Sequence, residues 1–417
     1  MVYQPPVGAR DLLPLDVSQK RWIEDRLQQV FHRWGYHRII TSTLERLDTL
    51  MAGEAIQRST VLRVHDQDEE LGLRPELTAS IARTVVTRMA GATYPLRLYY
   101  NANVFRRSQE HSHNRQQEFY QAGVELLGQG GLLADAEVLL LITDGLQSLG
   151  LSQWSLVLGE AGLTRSFLSP FPAALQPKIR HAIATLDRVM LETLPLSPEL
   201  RDRALTLFDL RGNPTEVLDK AARLDLDATQ QASLENLRAL VQLLTSASET
   251  MPTLILDLSL VQTIDYYTGI VFEVVSTPSG NGSAAPGGLQ ILGQGGRYDQ
   301  LLGLYHPDGQ SMPGIGFALQ IEHLHQALSS TGQLPQKTPA VHWVVVPETP
   351  QAYAHAIRHA QQLRTTPGEL VRVELNLGDR TPAEIQDYAR HRRIAAIAWV
   401  ADNGDVKVES LSPSSSV

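Results

Sequence analysis

The 417-residue chain has no cysteine at all. That excludes disulfides and thiolate metal ligation and suits a reducing, cytoplasmic setting. It has no run of about 18 apolar residues, so no spanning helix is expected. The N-terminus, MVYQPPVGARDLLP, lacks the apolar stretch of a signal peptide. An excess of positive charge is missing too: 36 Lys and Arg stand against 45 Asp and Glu, a net charge of -9. Proteins that grip long nucleic acid usually carry a basic stripe that neutralises phosphates, so the balance argues against that role. What is present, 43% hydrophobic and 19% charged residues, is the composition of a globular protein of two or three domains.

Hydrophobic periodicity orders the chain. Trp22, Ile23, Leu27, Val30, Phe31 and Trp34 repeat at helical spacing over 17–34, with Gly35 as a stop. A strand follows at 36–42, and a helix over 73–88 opens with Pro75. Strand-like runs at 96–105 and 117–127 flank the polar segment 106–116, which reads as a hairpin loop. A helix covers 134–149. Residues from about 160 to 250 read as a helical insertion broken by prolines. Strand patterns return at 253–261 and 269–275, and 278–288 is a Gly/Pro/Ser-rich loop. The expected organisation is a core over 1–328, a linker at 329–339, an α/β domain over 340–411 with a mixed sheet, and a loose tail at 412–417. An antiparallel hairpin flanked by helices, followed by a helical insertion and further strands, makes the core α+β.

Several residues have the chemistry to hold a zwitterion. An α-ammonium group needs carboxylates and amide oxygens, which Glu76, Thr78, Gln121 and Glu125 can supply. An α-carboxylate needs a cation, and Arg106 is the candidate. An imidazole needs a flat wall and a partner for its nitrogens, which Tyr266, Tyr267 and Glu125 can provide. Gln121 and Glu125, four apart on a strand, share a face. Taken singly these are weak signals: a lone strand glutamate is ordinarily solvated, and a DYY string is ordinarily sheet surface or core. GQGG at 293–296 is no phosphate-cradling P-loop, because no helix opening on Lys-Ser/Thr follows it. His111 and His113 lack a third ligand, so no metal is expected, and no cofactor is implied.

The strings that carry these residues resemble, in order and along nearly the whole chain, class II aminoacyl-tRNA synthetases, and the histidine enzyme in particular. GARDLLP at 8–14 is similar to that family's start, and GYHRIITSTLE at 35–45 to its dimer-forming first motif. LRPELT at 73–78, VFRR at 104–107 and QAGVE at 121–125 resemble its LRPE string and second motif. IDYYTGIVFE at 264–273 resembles its histidine-recognition string, and GQGGRYDQL at 293–301 and GIGFALQIEHL at 314–324 its last strand and third motif. The resemblance implies a class II synthetase-like antiparallel sheet flanked by helices, with an anticodon-binding-like C-terminal domain. It also implies a histidine pocket at Glu76, Thr78, Arg106, Gln121, Glu125, Tyr266 and Tyr267.

The sequence departs from the family where ATP would bind. The third-motif arginine is replaced by His323, and the glycine before it by Gln320. A mostly neutral imidazole cannot substitute for a permanent, fork-shaped cation on a triphosphate. The acid of the second motif's FRxE is Ser108, and the arginine of the VRGLDYY-like string is Gln262. Losing one such cation typically costs ~3 kcal/mol of transition-state stabilisation. In the first motif Ser42 stands where a proline is usual. Residues 340–417 hold eight Lys/Arg against nine Asp/Glu, too few cations for an anticodon-reading surface. A kept amino-acid side with a lost ATP side resembles the synthetase-like regulatory-subunit family (HisZ) of ATP phosphoribosyltransferase. That resemblance implies a non-catalytic, allosteric role in the first step of histidine biosynthesis, beside a short-form catalytic subunit (HisG). It also implies L-histidine as effector and a homodimer core within a hetero-oligomer. A divergent histidyl-tRNA synthetase, or a non-catalytic tRNA-binding module, are the competing expectations. ATP–pyrophosphate exchange and a salt-sensitive tRNA gel shift would mark them respectively.

Overall fold

The computed structural model describes residues 3–53, 56–66, 69–107, 116–248, 251–260, 266–276 and 289–411. The chain divides into two compact units, Met1–Pro335 and Gln336–Val417. The tail expected at 412–417 lies outside the described residues.

The first unit is built on a nine-stranded sheet. Its spatial order is His37–Arg38, Leu96–Phe105, Glu118–Leu127, Gly314–Gln320, Gln290–Arg297, Ile270–Ser276, Trp154–Glu160, Thr253–Asp257 and Arg211–Gly212. The six strands from 96–105 to 154–160 run antiparallel to one another in sequence across the sheet. Towards its edges the sheet is mixed rather than purely antiparallel, since 37–38 pairs parallel with 96–105 and 154–160 pairs parallel with 253–257.

One face of this sheet is sealed by helices. Pro14–Arg33 starts with proline at its first turn, where the missing N–H costs nothing. It buries Ile23, Leu27, Val30 and Phe31, one stripe at helical spacing. Leu132–Ser148 and Ile321–Leu328 join the same core. Six helices between Ala161 and Ala247 continue it, interrupted by the short strand Arg211–Gly212.

The strands expected at 36–42 and 253–261 are shorter, His37–Arg38 and Thr253–Asp257, and one further boundary and one element differ from the sequence reading for identifiable reasons. Leu73 belongs to the strand Glu70–Leu73 of a small separate sheet, and the helix expected over 73–88 runs Thr78–Arg88. The Glu76 carboxylate accepts from the backbone N–H of Thr78 (2.6 Å) and Ala79 (2.9 Å), which fixes the helix start there. The strand Trp154–Glu160 has no counterpart in the sequence pattern. It is buried along nearly its whole length, so it shows no polar alternation to read.

In the second unit a four-stranded sheet runs in the order Val373–Leu375, Trp343–Pro347, Ala396–Val400, Val406–Ser410. The first two pairings are parallel and the last antiparallel, giving a mixed sheet. Helices Tyr353–Arg364 and Pro382–His391 cover opposite faces, each with its own apolar cluster. Among the described residues no helix is long and apolar enough to cross a membrane.

Candidate functional site

The other face of the large sheet, packed against helices Thr78–Arg88 and Leu301–Tyr305, holds the site, and strand register decides which side chains reach it. Residues directly opposite on neighbouring strands share a face. Glu125 lies opposite Leu98 and Gly316; Gly123 opposite Tyr100 and Ala318; Gln121 opposite Ala102 and Gln320. Gln294 and Gly296 continue these rows opposite Ala318 and Gly316. Gly316 is required: a Cβ there would lie 2.0 Å from Glu125 Oε2. Gly296 is required for the same reason, since a Cβ would meet the Tyr267 ring at 2.6 Å.

Seven expected residues, Glu76, Thr78, Arg106, Gln121, Glu125, Tyr266 and Tyr267, line one pocket, brought together from four separate segments. The pocket is deep. Glu125 is 1% exposed, Gln121 2% and Glu76 6%. Tyr100, Gln294 and Tyr298 also line it, and the sequence motifs do not single them out. Strand alternation carries the missing signal, because Gln294, Gly296 and Tyr298 alternate along one strand and its extension, and Tyr100 faces the glycine between Gln121 and Glu125.

The polar groups are wired to one another. Thr78 Oγ1 donates to Glu125 Oε1 at 2.7 Å, and the Tyr298 hydroxyl donates to Glu125 Oε2. Arg106 Nε donates to the Pro75 carbonyl at 2.8 Å, which aims the guanidinium toward the Glu76 turn. Tyr266 packs between aromatic neighbours, 4.9 Å from the Tyr267 ring and 5.6 Å from Tyr298, the latter edge-on. The buried side-chain oxygen of Gln121 has no hydrogen-bond partner, a state that ordinarily costs about 1–3 kcal/mol and is relieved by a ligand donor.

Burial dominates the electrostatics. It pushes the Glu125 carboxyl up to about 8, against the hydrogen bonds from Thr78 and Tyr298 and with the help of nearby Glu76. Burial also raises Glu76, where the two backbone N–H groups and Arg106 pull back. Arg106 is lowered by burial, and Glu76 counteracts that. The hydroxyls of Tyr100, Tyr266 and Tyr298 are held well above the usual phenol range, again first by burial. Such a pocket is built for a small molecule that brings several donors and its own charges.

The pocket is narrow, with about 20 Å³ of space left between these side chains. A larger cleft of about 610 Å³ opens in the second unit, at the ends of strands 343–347 and 373–375. It contains none of the expected site residues.

The positions expected to have lost ATP contacts are partly described. Gln320 sits directly opposite Gln121, so its side chain stands on the pocket face of the sheet. His323 is half-buried, with Nδ1 at 2.6 Å from the Ile291 carbonyl. A carbonyl only accepts, so Nδ1 is the donor and Nε2 alone remains for other contacts. Glu322 turns to its own fold, accepting from Tyr120 N–H (3.0 Å) and pairing with Arg10 (3.6 Å). Ser108 and Gln262 lie outside the described residues. Among the described residues no cluster of three potential metal ligands occurs.

Comparison with known proteins bears on the family and the fold. A family model described as histidyl-tRNA synthetase matches residues 8–324. The chain is 66% identical over 412 residues to the ATP phosphoribosyltransferase regulatory subunit of Nostoc punctiforme, covering 99% of this chain and all of the relative. It is 64% identical over 413 residues to that of Trichormus variabilis, with the same coverage. A crystal structure from Bacillus halodurans, of an ATP phosphoribosyltransferase regulatory subunit/histidyl-tRNA synthetase, superposes with a TM-score of 0.77 at 28% identity. That match covers 96% of this chain and 99% of the other.

Proposed function

Since the chain belongs to the ATP phosphoribosyltransferase regulatory subunits, within the histidyl-tRNA synthetase family, we propose that it is a non-catalytic histidine sensor for a separate catalytic chain. Histidine docks against Glu76, Thr78, Arg106, Gln121, Glu125, Tyr266 and Tyr267. The catalytic partner is the short-form ATP phosphoribosyltransferase subunit, joined in the cytoplasm to a homodimer of this chain. The observation that supports the reading is a contrast: groups with the chemistry to hold a zwitterion line one pocket, while Gln320 and His323 replace the glycine and arginine of the third motif that the sequence resembles.

The narrowness and burial of the pocket support a regulatory use. A ligand shifts an equilibrium only by its differential affinity for the two states. In so narrow a pocket, histidine would favour one arrangement of the lining side chains over another. Coupling of ~1–3 kcal/mol is typical of such devices. Loss of the triphosphate-facing cations removes amino-acid adenylation.

Calorimetry with L-histidine tests the reading, on this chain alone and with the catalytic subunit. Saturable binding in at least one preparation is expected, with histidine inhibiting the assembled enzyme. Absence of binding in both would overturn it, and histidine-dependent ATP–pyrophosphate exchange would restore the synthetase reading.

A further inference from the structure

The aromatic wall of the pocket and the helical insertion meet in one short helix, Ala161–Leu168. It follows directly on strand Trp154–Glu160, and the Glu160 carboxylate caps it by accepting from the Leu163 N–H. Three contacts tie this helix to the segment that carries Tyr266 and Tyr267. Ala161 N–H donates to the Gly269 carbonyl at 2.9 Å. Thr164 is buried, and its Oγ1 donates to the Leu258 carbonyl at 2.9 Å. Arg165 Nη1 donates to the Tyr267 carbonyl at 2.9 Å. Leu258 precedes the tyrosine pair and Gly269 follows it, so the helix grips the chain on both sides of the pair.

The same helix is wired into the insertion. Ser166 Oγ accepts from Gln230 Nε2, and the Phe167 carbonyl accepts from Arg203 Nε at 3.2 Å. Leu163, Phe167 and Leu168 share a core with Leu207, Leu234 and Leu237 of the insertion. On its other side the Tyr267 ring has no slack, because it lies against Gly296, where a Cβ would come within 2.6 Å. Close-packed groups pass a displacement on rather than absorb it.

We infer that Arg165 is a positioning residue of the proposed histidine site, holding the Tyr267 backbone so that occupancy of the pocket is coupled to helix Ala161–Leu168 and, through it, to the helical insertion. This rests on the reading that the pocket takes histidine. Arg165 is not among the residues lining the pocket; it acts through Tyr267. Its guanidinium is a permanent cation, and a charge-assisted bond to a carbonyl is stronger than a neutral one.

The test uses the full chain. Amide hydrogen exchange is followed by mass spectrometry with and without L-histidine. Slowed exchange is expected on binding at 266–269, in helix Ala161–Leu168 and around Gln230. Slowing confined to the pocket segments would overturn the coupling. Arg165→Met keeps an unbranched stem and removes the donor. It should weaken histidine binding about three- to tenfold by calorimetry. At saturating histidine it should lose the slowing at 161–168 and keep that at 266–269. Arg165→Lys returns a charged donor and should recover most of both effects; a lysine variant no better than the methionine one would overturn the role given to the hydrogen bond. If Arg165 served only stability, both variants would melt lower, yet bind histidine as the unaltered chain does and keep the slowing in the helix. That result, too, would overturn the proposal. Should Arg165→Met fail to fold, exchange in the unaltered chain and the lysine variant still decide. Failure of the unaltered chain to bind histidine is a different result and would sink the functional reading itself.

Discussion

Two neighbouring regions of the first unit, the pocket around Glu125 and the turn from strand Gly314–Gln320 into helix Ile321–Leu328, differ in chemistry. Around Glu125 the polar groups are enclosed and largely held by one another: Thr78 and Tyr298 hold its carboxylate, and Glu76 holds the helix start beside it. Around Gln320 and His323 the groups are partly exposed and turned to local partners, with His323 bonded to the Ile291 carbonyl and Glu322 to the backbone of Tyr120. Both ends hang from strands 118–127 and 314–320. The scaffold is therefore common property, and a handful of positions decides whether it serves chemistry or recognition.

The sharpest way to break the comparison is at Glu125. Glu125→Ala removes the carboxylate proposed to meet the ligand ring and leaves the hydroxyls of Thr78 and Tyr298 without their acceptor. Histidine affinity should fall by about a hundredfold or more, read by calorimetry, and feedback inhibition of the assembled enzyme should go with it. Unchanged affinity would detach the buried end from any role in binding.

Gly316→Ala attacks the same carboxylate from the neighbouring strand. The added methyl would sit 2.0 Å from Glu125 Oε2 and 2.3 Å from the Val124 carbonyl, so the carboxylate must shift. Overpacking of this kind costs about 1–3 kcal/mol. Thermal unfolding should show that loss, and histidine affinity should drop about tenfold.

Glu125→Gln separates binding from stability. An acid whose folded value is raised, here from 4.5 to about 8, contributes stability that is fully present below 4.5 and lost as pH rises through 8. The unliganded chain should therefore lose stability over that window. The glutamine variant does not ionise, so at pH 8.5 it should be more stable than the unaltered chain by about 2–3 kcal/mol, while binding histidine more weakly. Denaturant titrations at pH 5 and pH 8.5 give the comparison, and parallel curves for the two proteins would contradict it.

Much of this contrast is legible in the amino-acid sequence. Glu76, Gln121, Glu125 and the Tyr266–Tyr267 pair can be named from it because ligand-binding strings keep residue types and order. Tyr298 cannot, because it stands one residue beyond the strand Gln290–Arg297 and its reach to Glu125 depends on the pairing of strands distant in sequence. Tyr100 is hidden similarly: only the register opposite Gly123 brings it into the site. Strand 154–160 escapes because a strand buried on both faces has no period to detect. The start of helix Thr78–Arg88 is misplaced by periodicity because Glu76 caps it with a side chain, a contact that propensity does not encode.

The smallest expected effect tests the other end. The double variant Gln320→Gly, His323→Arg restores open space and one cation at the positions where the chain departs from the synthetase pattern. Gln320 faces the same side as Gln121, yet neither altered residue hydrogen-bonds to the Glu125 set, so histidine affinity should stay within about twofold. ATP–pyrophosphate exchange should remain absent, because a single restored arginine leaves Gln262 and Ser108 in place and charge stabilisation in phosphoryl chemistry depends on several aligned cations together. A large change in histidine affinity would show that the two ends are not separable after all. Measurable exchange would mean that the catalytic end lies two substitutions from function, and that the regulatory role rests on fewer residues than the sequence suggests.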